Sequence, residues 1–243
     1  MKIRTVILIF VSFFLLVIFS FPLRGVIVLL DEKKLISAKS IEGFWWKGQL
    51  EQVQLEERSL GNIKINYLPL SLFKGKFAFS LDIESPEVNF EGIIGLTVFR
   101  NIFLENINLS ANPKLRVKSG KPLFQEVSNI KAKVNYLYFN DNKCVRAKGI
   151  GTGEMIDVFG LFSQNLKIDL KLNCREDLFE LAFKSTPDSI LEGEVLVKTN
   201  LEYDLEVRSK RLSSKIREAS KLNFTKDPSF KESGRLDELM NIY

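Results

Sequence analysis

The chain reads as an all-β protein: an antiparallel, meandering curved sheet or sandwich of about a dozen strands, set behind one N-terminal transmembrane helix. Three observations predict this. Apolar and polar residues alternate over many short runs, and Gly, Pro, Asn or Asp punctuate the breaks between them. Nothing resembling a long crossover helix lies between residues 35 and 208, so a parallel, doubly wound sheet lacks its connections.

The first element is the N-terminal apolar run. Thr5 to Leu23 is 19 residues without a charge, and at ~1.5 Å per helical residue it nearly matches a ~30 Å hydrocarbon core. A cleaved signal peptide would also begin with positive charge, here Lys2 and Arg4. The run is longer than the apolar region of such peptides, and no small-x-small site precedes Pro22, so a retained anchor is favoured. Lys2 and Arg4 place the N-terminus in the cytoplasm by the positive-inside rule, with the body of the protein outside the cytoplasm.

The strands follow. Phe77, Phe79, Leu81 and Ile83 alternate with Lys76, Ala78, Ser80 and Asp82. Leu166, Ile168, Leu170 and Leu172 alternate with Lys167, Asp169, Lys171 and Asn173, and Leu201, Tyr203, Leu205 and Val207 with Glu202, Asp204 and Glu206. Each is expected to have one dry face and one wet face. Less regular runs predict further strands near 35–42, 49–56, 62–67, 87–94, 102–110, 128–138, 144–155, 178–184 and 190–198. Turns are expected at Glu84-Ser-Pro86, Asn140-Asp-Asn142 and Ser185-Thr-Pro-Asp188. A short helical turn is expected at Pro69-Leu-Ser-Leu-Phe73, entered by Pro and left through Gly75. So many apolar strand faces must close on themselves, pack on a second sheet or leave a groove, and a closed sandwich or barrel core is the favoured outcome.

Three segments result: an anchor over 1–30, a β-rich exported domain over 31–208, and a basic, weakly helical tail over 209–243. From Arg208 to Arg235 the tail carries nine Lys or Arg against Glu218, Asp227 and Glu232. A solvated terminus is favoured there, with attraction to anionic headgroups or docking of a last helix through Leu236, Leu239, Met240 and Tyr243 as the alternative.

Composition narrows the function. The 243 residues include no His, which removes Ser-His-Asp and Cys-His nucleophilic machinery and most zinc sites. Two Cys cannot make a zinc ribbon or an iron–sulfur cluster. A carboxylate hydrolase would need two acids in opposed environments, and no such pair can be read from the spacing. No catalytic group, cofactor or metal ligand is therefore assigned. The net charge of +5 is not taken as a nucleic-acid signal, since the apolar N-terminus directs the protein to a membrane. Gly149, Gly151 and Gly153 lack the interval and the trailing Lys of phosphate loops, and instead permit close packing or a bend.

Cys144 and Cys174 lie 30 residues apart, and an even count in an oxidising compartment favours one disulfide, with two buried thiols as the alternative. Trp45 and Trp46 follow the anchor closely and are candidates for membrane or partner contact. Adjacent residues on a strand point to opposite faces, so one of the two is expected to pack inward and the other to be exposed or close to the membrane.

The order of these signals resembles the general secretion pathway protein N family, the N component of bacterial type II secretion systems. The resemblance rests on the apolar N-terminus, then Gly43-Phe-Trp-Trp46-Lys-Gly48, then a strand leading into Pro69-Leu-Ser-Leu72-Phe-Lys-Gly75, and Cys174 within Leu170-Lys-Leu-Asn-Cys174-Arg-Glu-Asp. It extends over roughly residues 1–208. It implies a non-catalytic inner-membrane component that works through contacts with other secretion-system or envelope proteins. It further implies kinship to AsmA-like proteins, whose curved sheets offer an apolar groove to lipid, so lipid is a second candidate partner. On this pattern Gly43, Gly48, Pro69 and Gly75 serve structural roles.

Overall fold

The chain is seen in a computed structural model that describes residues 3–30, 36–55, 58–99, 101–112, 127–141, 143–155, 166–186, 191–198, 202–209 and 229–235. Two helices open it, α1 (Ile3–Phe19) and α2 (Leu23–Leu30). Fourteen strands follow among the described residues, in an open antiparallel sheet that does not close. The chain divides into two compact units, 1–94 and 95–243.

The break between the helices has a local cause. Pro22 has no N–H and disfavours helical backbone at Phe21, so α1 ends at Phe19 and Pro22 forms a bridge to Phe44. The expected continuous helix over Thr5–Leu23 is corrected to the 17 residues of α1. No helix among the described residues is long and apolar enough to cross a membrane. The described side chains of α1 are nevertheless exposed, Leu8 at 70% and Phe10 at 67%.

In the first unit, β1 (Ile36–Ser37) and β2 (Ser40–Phe44) both pair with β3 (Lys47–Leu55), which pairs in turn with β4 (Arg58–Tyr67) and β4 with β5 (Lys76–Glu84). A bulge in β3 sets Gln52 at φ 48°, with its N–H donating to Asn62 Oδ1 at 3.0 Å. The shifted register brings Val53 to 1% exposure. Val53, Leu50 and Leu23 of α2 form a core against which Ile27, Ile41 and Ile63 pack. Between β4 and β5 the expected helical turn is present as a 3-10 turn, Pro69–Lys74, left through Gly75 in the left-handed conformation at φ 67°. Because this turn packs onto β5 and Leu68 N donates to Ala78 O, Ala78 on the expected wet parity is buried, while Phe77 on the expected dry parity is 41% exposed.

The boundary between the units falls inside β6 (Val88–Thr97). The second unit is a meander in which each strand pairs with the next: β7 (Ile102–Ala111), β8 (Val127–Asn140), β9 (Lys143–Met155), β10 (Leu166–Arg175), β11 (Leu178–Thr186), β12 (Leu191–Val197), β13 (Glu202–Ser209) and β14 (Ser229–Arg235). Here the alternation held: Ile168 and Leu172 of β10 and Tyr203 and Val207 of β13 are buried. Ile168 and Val207 join Leu191 in one cluster. The two-residue turn from β10 to β11 uses Glu176 and Asp177, both at positive φ, as a type I′ geometry requires. On β9, a side chain at Gly151 would meet Lys131 O at 2.8 Å, so the glycine strand serves close packing against β8.

Two expectations need correction. The closed sandwich or barrel gives way to an open sheet, because the ladder runs from β1 at one end to β14 at the other and these two do not pair. The basic tail is not without strands, since Ser229–Arg235 forms β14 on β13; its remainder, 210–228 and 236–243, with the expected last helix, lies outside the described residues.

Candidate functional site

Trp45 and Trp46 occupy a two-residue turn joining β2 to β3, with Phe44 opposite Lys47 and Gly43 opposite Gly48. They are turn residues, so the strand-parity expectation does not apply, and both are half-buried rather than one core and one exposed. Their indoles converge on one target. Trp45 Nε1 donates to Ile18 O at 2.7 Å and Trp46 Nε1 to Phe19 O at 2.9 Å. A helix leaves its last four carbonyls without internal partners, and here Ser20 N takes Leu16 O at 2.9 Å while the two indoles take Ile18 and Phe19. Trp45 N also donates to Phe21 O at 3.3 Å. The hairpin tip therefore clasps the end of α1.

The glycines around the tip make the clasp possible. Gly43 sits at φ 89°, and a Cβ there would lie 2.4 Å from Lys47 O. At Gly48 a Cβ would lie 2.4 Å from Leu23 Cδ2, so its bareness admits the first residue of α2 to the core.

Aromatic rings brace the tip. Trp45 lies 5.5, 6.4 and 6.5 Å, centroid to centroid, from Tyr67, Phe77 and Phe79. Trp46 stacks on Phe44 at 5.9 Å, and Tyr67 N donates to Trp46 O at 2.7 Å. The 3-10 turn with Pro69 follows Tyr67 directly and Gly75 returns the chain to Phe77, so both structural motifs, Gly43–Gly48 and Pro69–Gly75, serve one constellation. Sequence reasoning treated them separately. It also missed Phe44, Tyr67, Phe77 and Phe79 as site residues, because their spacing reads as ordinary strand faces; aromatic density on either side of the Pro–Gly turn was the available signal.

Cys144 and Cys174 are elsewhere, in the second unit, joined as a disulfide with Cα atoms 5.5 Å apart. Cys144 N donates to Asp177 O at 2.8 Å, and Lys143 Nζ bonds Asp177 Oδ2 at 2.9 Å, which raises the Lys143 pKa chiefly through that hydrogen bond. The bridge ties the start of β9 to the end of β10. Among the described residues no group of His, Cys, Asp or Glu could hold a metal ion.

What the site displays is aromatic packing around two indoles that donate to helix carbonyls. A family described as Type II secretion system (T2SS), protein N, matches residues 34–223. The match leaves out α1 and takes in the beginning of the basic segment beyond Arg208. No curated protein and no solved structure matches the chain. None of these comparisons supports the expected kinship to AsmA-like proteins.

Proposed function

The chain belongs to the type II secretion system protein N family, and from that premise we propose that it is a non-catalytic inner-membrane component of a type II secretion system or related envelope assembly. It acts through contacts of its β-rich body, residues 31–208, with other proteins of that assembly. The match over 34–223 carries the reading. Further support comes from the open sheet, at whose end β14 pairs with β13 alone among the described residues, leaving a strand edge of the kind that takes up another strand.

Residues 1–30 are the anchor in this reading. From Val6 to Phe19 α1 carries no charge, is apolar but for Ser12, and is exposed, a pattern that calls for a non-aqueous surrounding. Its 17 residues correspond to roughly 26 Å at ~1.5 Å each, a short span that a bilayer accommodates by thinning. The N-terminus is cytoplasmic and the body periplasmic, an orientation supported by Lys2 and Arg4 and by a disulfide suited to an oxidising compartment.

Deleting the gene from its source bacterium and following a type II exoprotein tests the assignment. Exoprotein retained in the periplasm, with rescue by the full chain, is the expected result; undiminished secretion overturns it.

A further inference from the structure

The 3-10 turn Pro69–Lys74 holds its largest apolar side chains in solvent. Phe73 is 90% exposed, Leu70 75% and Leu72 55%. Three such residues in six, on a turn with no buried residue of its own, form an apolar protrusion rather than part of a core. The turn is firmly built. Leu68 N donates to Ala78 O at 2.9 Å, Gly75 N to Leu72 O at 2.9 Å and Ser71 N to Leu68 O at 3.0 Å. Ser71 Oγ lies 2.6 Å from Leu68 O and 2.8 Å from Lys76 O, its single proton shared between them. The backbone thus fixes the side chains outward.

We propose that this turn is a second membrane contact, with Leu70 and Phe73 inserted among the headgroups of the bilayer that holds α1. The inference rests on the reading of α1 as embedded. It goes further by assigning a lipid-facing site to the β-rich body.

Position argues for lipid as the occupant. Tyr67, just before the turn, donates its N–H to Trp46 O, and Phe77, just after it, packs on Trp45. Those two tryptophans hold the last carbonyls of α1. The protrusion is therefore tied on both flanks to the point where α1 ends, which on the embedded reading is the membrane surface. Trp45, Trp46 and Tyr67 are the residue types that settle at that level, apolar in body and polar at the tip. Charge agrees. From Asn66 to Ser80 there is no Asp or Glu, while Lys74 and Lys76 follow Phe73 closely, which favours anionic headgroups.

The test uses the full chain in vesicles of phosphatidylcholine and phosphatidylglycerol, with one introduced cysteine carrying an environment-sensitive fluorophore. Cys144 and Cys174 are bridged and do not take the label. Phe73→Cys and Leu70→Cys report the turn and Phe14→Cys reports α1. Glu87→Cys reports the turn beyond the far end of β5, a strand about 26 Å long at ~3.3 Å per residue. Expected are blue-shifted emission and quenching by headgroup-level spin-labelled lipid at Phe73 and Leu70, quenching by deep spin label at Phe14, and neither at Glu87. If Phe14 is quenched by lipid but Phe73 and Leu70 are reached by aqueous iodide as Glu87 is, the proposal falls and the embedded helix stands. If both turn positions are shielded from lipid quencher and iodide alike, protein covers the turn and the proposal also falls. If Phe14 is not quenched, the reading of α1 fails and takes the proposal with it.

Discussion

Each indole at the hairpin tip has two jobs, a hydrogen bond to a helix carbonyl and a ring to pack, and substitution separates them. Trp45→Phe and Trp46→Phe keep a ring and lose the donor to Ile18 or Phe19, so each should lower stability by about 1 kcal/mol, the usual net worth of one hydrogen bond. Trp45→Ala also loses contact with Tyr67, Phe77 and Phe79, whereas Trp46→Ala loses only its stack on Phe44. Trp45→Ala should therefore cost about 2–3 kcal/mol, less than the ~3–5 of a fully buried aromatic, and more than Trp46→Ala. Denaturant unfolding in detergent checks the order; equal losses would mean that the ring cluster contributes nothing. Trp45 and Trp46, with Gly43 and Gly48 around them, were legible in the sequence as a motif, whereas the ring partners Tyr67, Phe77 and Phe79 were not. The purpose of the two tryptophans was not legible either, since an indole meeting a carbonyl 27 residues away leaves no trace in local spacing.

At the scale of elements, an ion pair links β14 to β13. Glu206 of β13 and Lys231 of β14 are register partners. Glu206 accepts hydrogen bonds from Arg208 at 2.9 Å and lies 3.1 Å from Lys231 Nζ. Arg208 first and Lys231 second hold its carboxyl below the ordinary value of 4.5. A carboxylate with a lowered folded-state pKa contributes stability that is present above its unfolded value and lost as pH falls through the folded one. Amide exchange across 229–235, corrected for intrinsic rate, should therefore accelerate as pH drops below 4.5. Glu206→Gln should show that faster exchange already at neutral pH, with the acid step removed. A Gln variant retaining the full acid step would assign it to another group. In the other elements, period-two patterning located the strands from 35 to 208 closely, and Pro69 with Gly75 located the 3-10 turn. β14 escaped because Ser229–Arg235 has little alternation; the open ladder of β13 recruits it.

For the molecule as a whole, the clasp bears on whether α1 stays. Ile18, Phe19 and Phe21 supply carbonyls to the hairpin, Pro22 bridges to Phe44, and Leu23 is 4% exposed in the core. Cleavage after Phe21 would strip all three acceptors from the two tryptophans. The intact mass of protein isolated from membranes should accordingly include residues 1–21; a mass lacking them would show that the clasp is not a feature of the mature protein. The disulfide adds to cohesion in the second unit, where closing a loop across 30 residues stabilises by roughly 3–4 kcal/mol in the chain-entropy picture.

The sequence alone determined the antiparallel meander, most strand limits and the Pro–Gly turn, along with the lack of His for catalysis, and it favoured a bridge between the two cysteines over free thiols. These are local or elimination arguments: period-two hydrophobicity, turn residues and an even Cys count act over neighbouring positions or on composition. Only the tertiary structure decided that the sheet stays open, that Ala78 is buried while Phe73 faces solvent, and that two tryptophans end α1. Those outcomes depend on which distant backbone and side-chain groups meet after the strands pair. A pattern with one apolar face per strand is compatible with a closed core and with an open sheet alike, because periodicity sets which side chains share a face and leaves open what covers it.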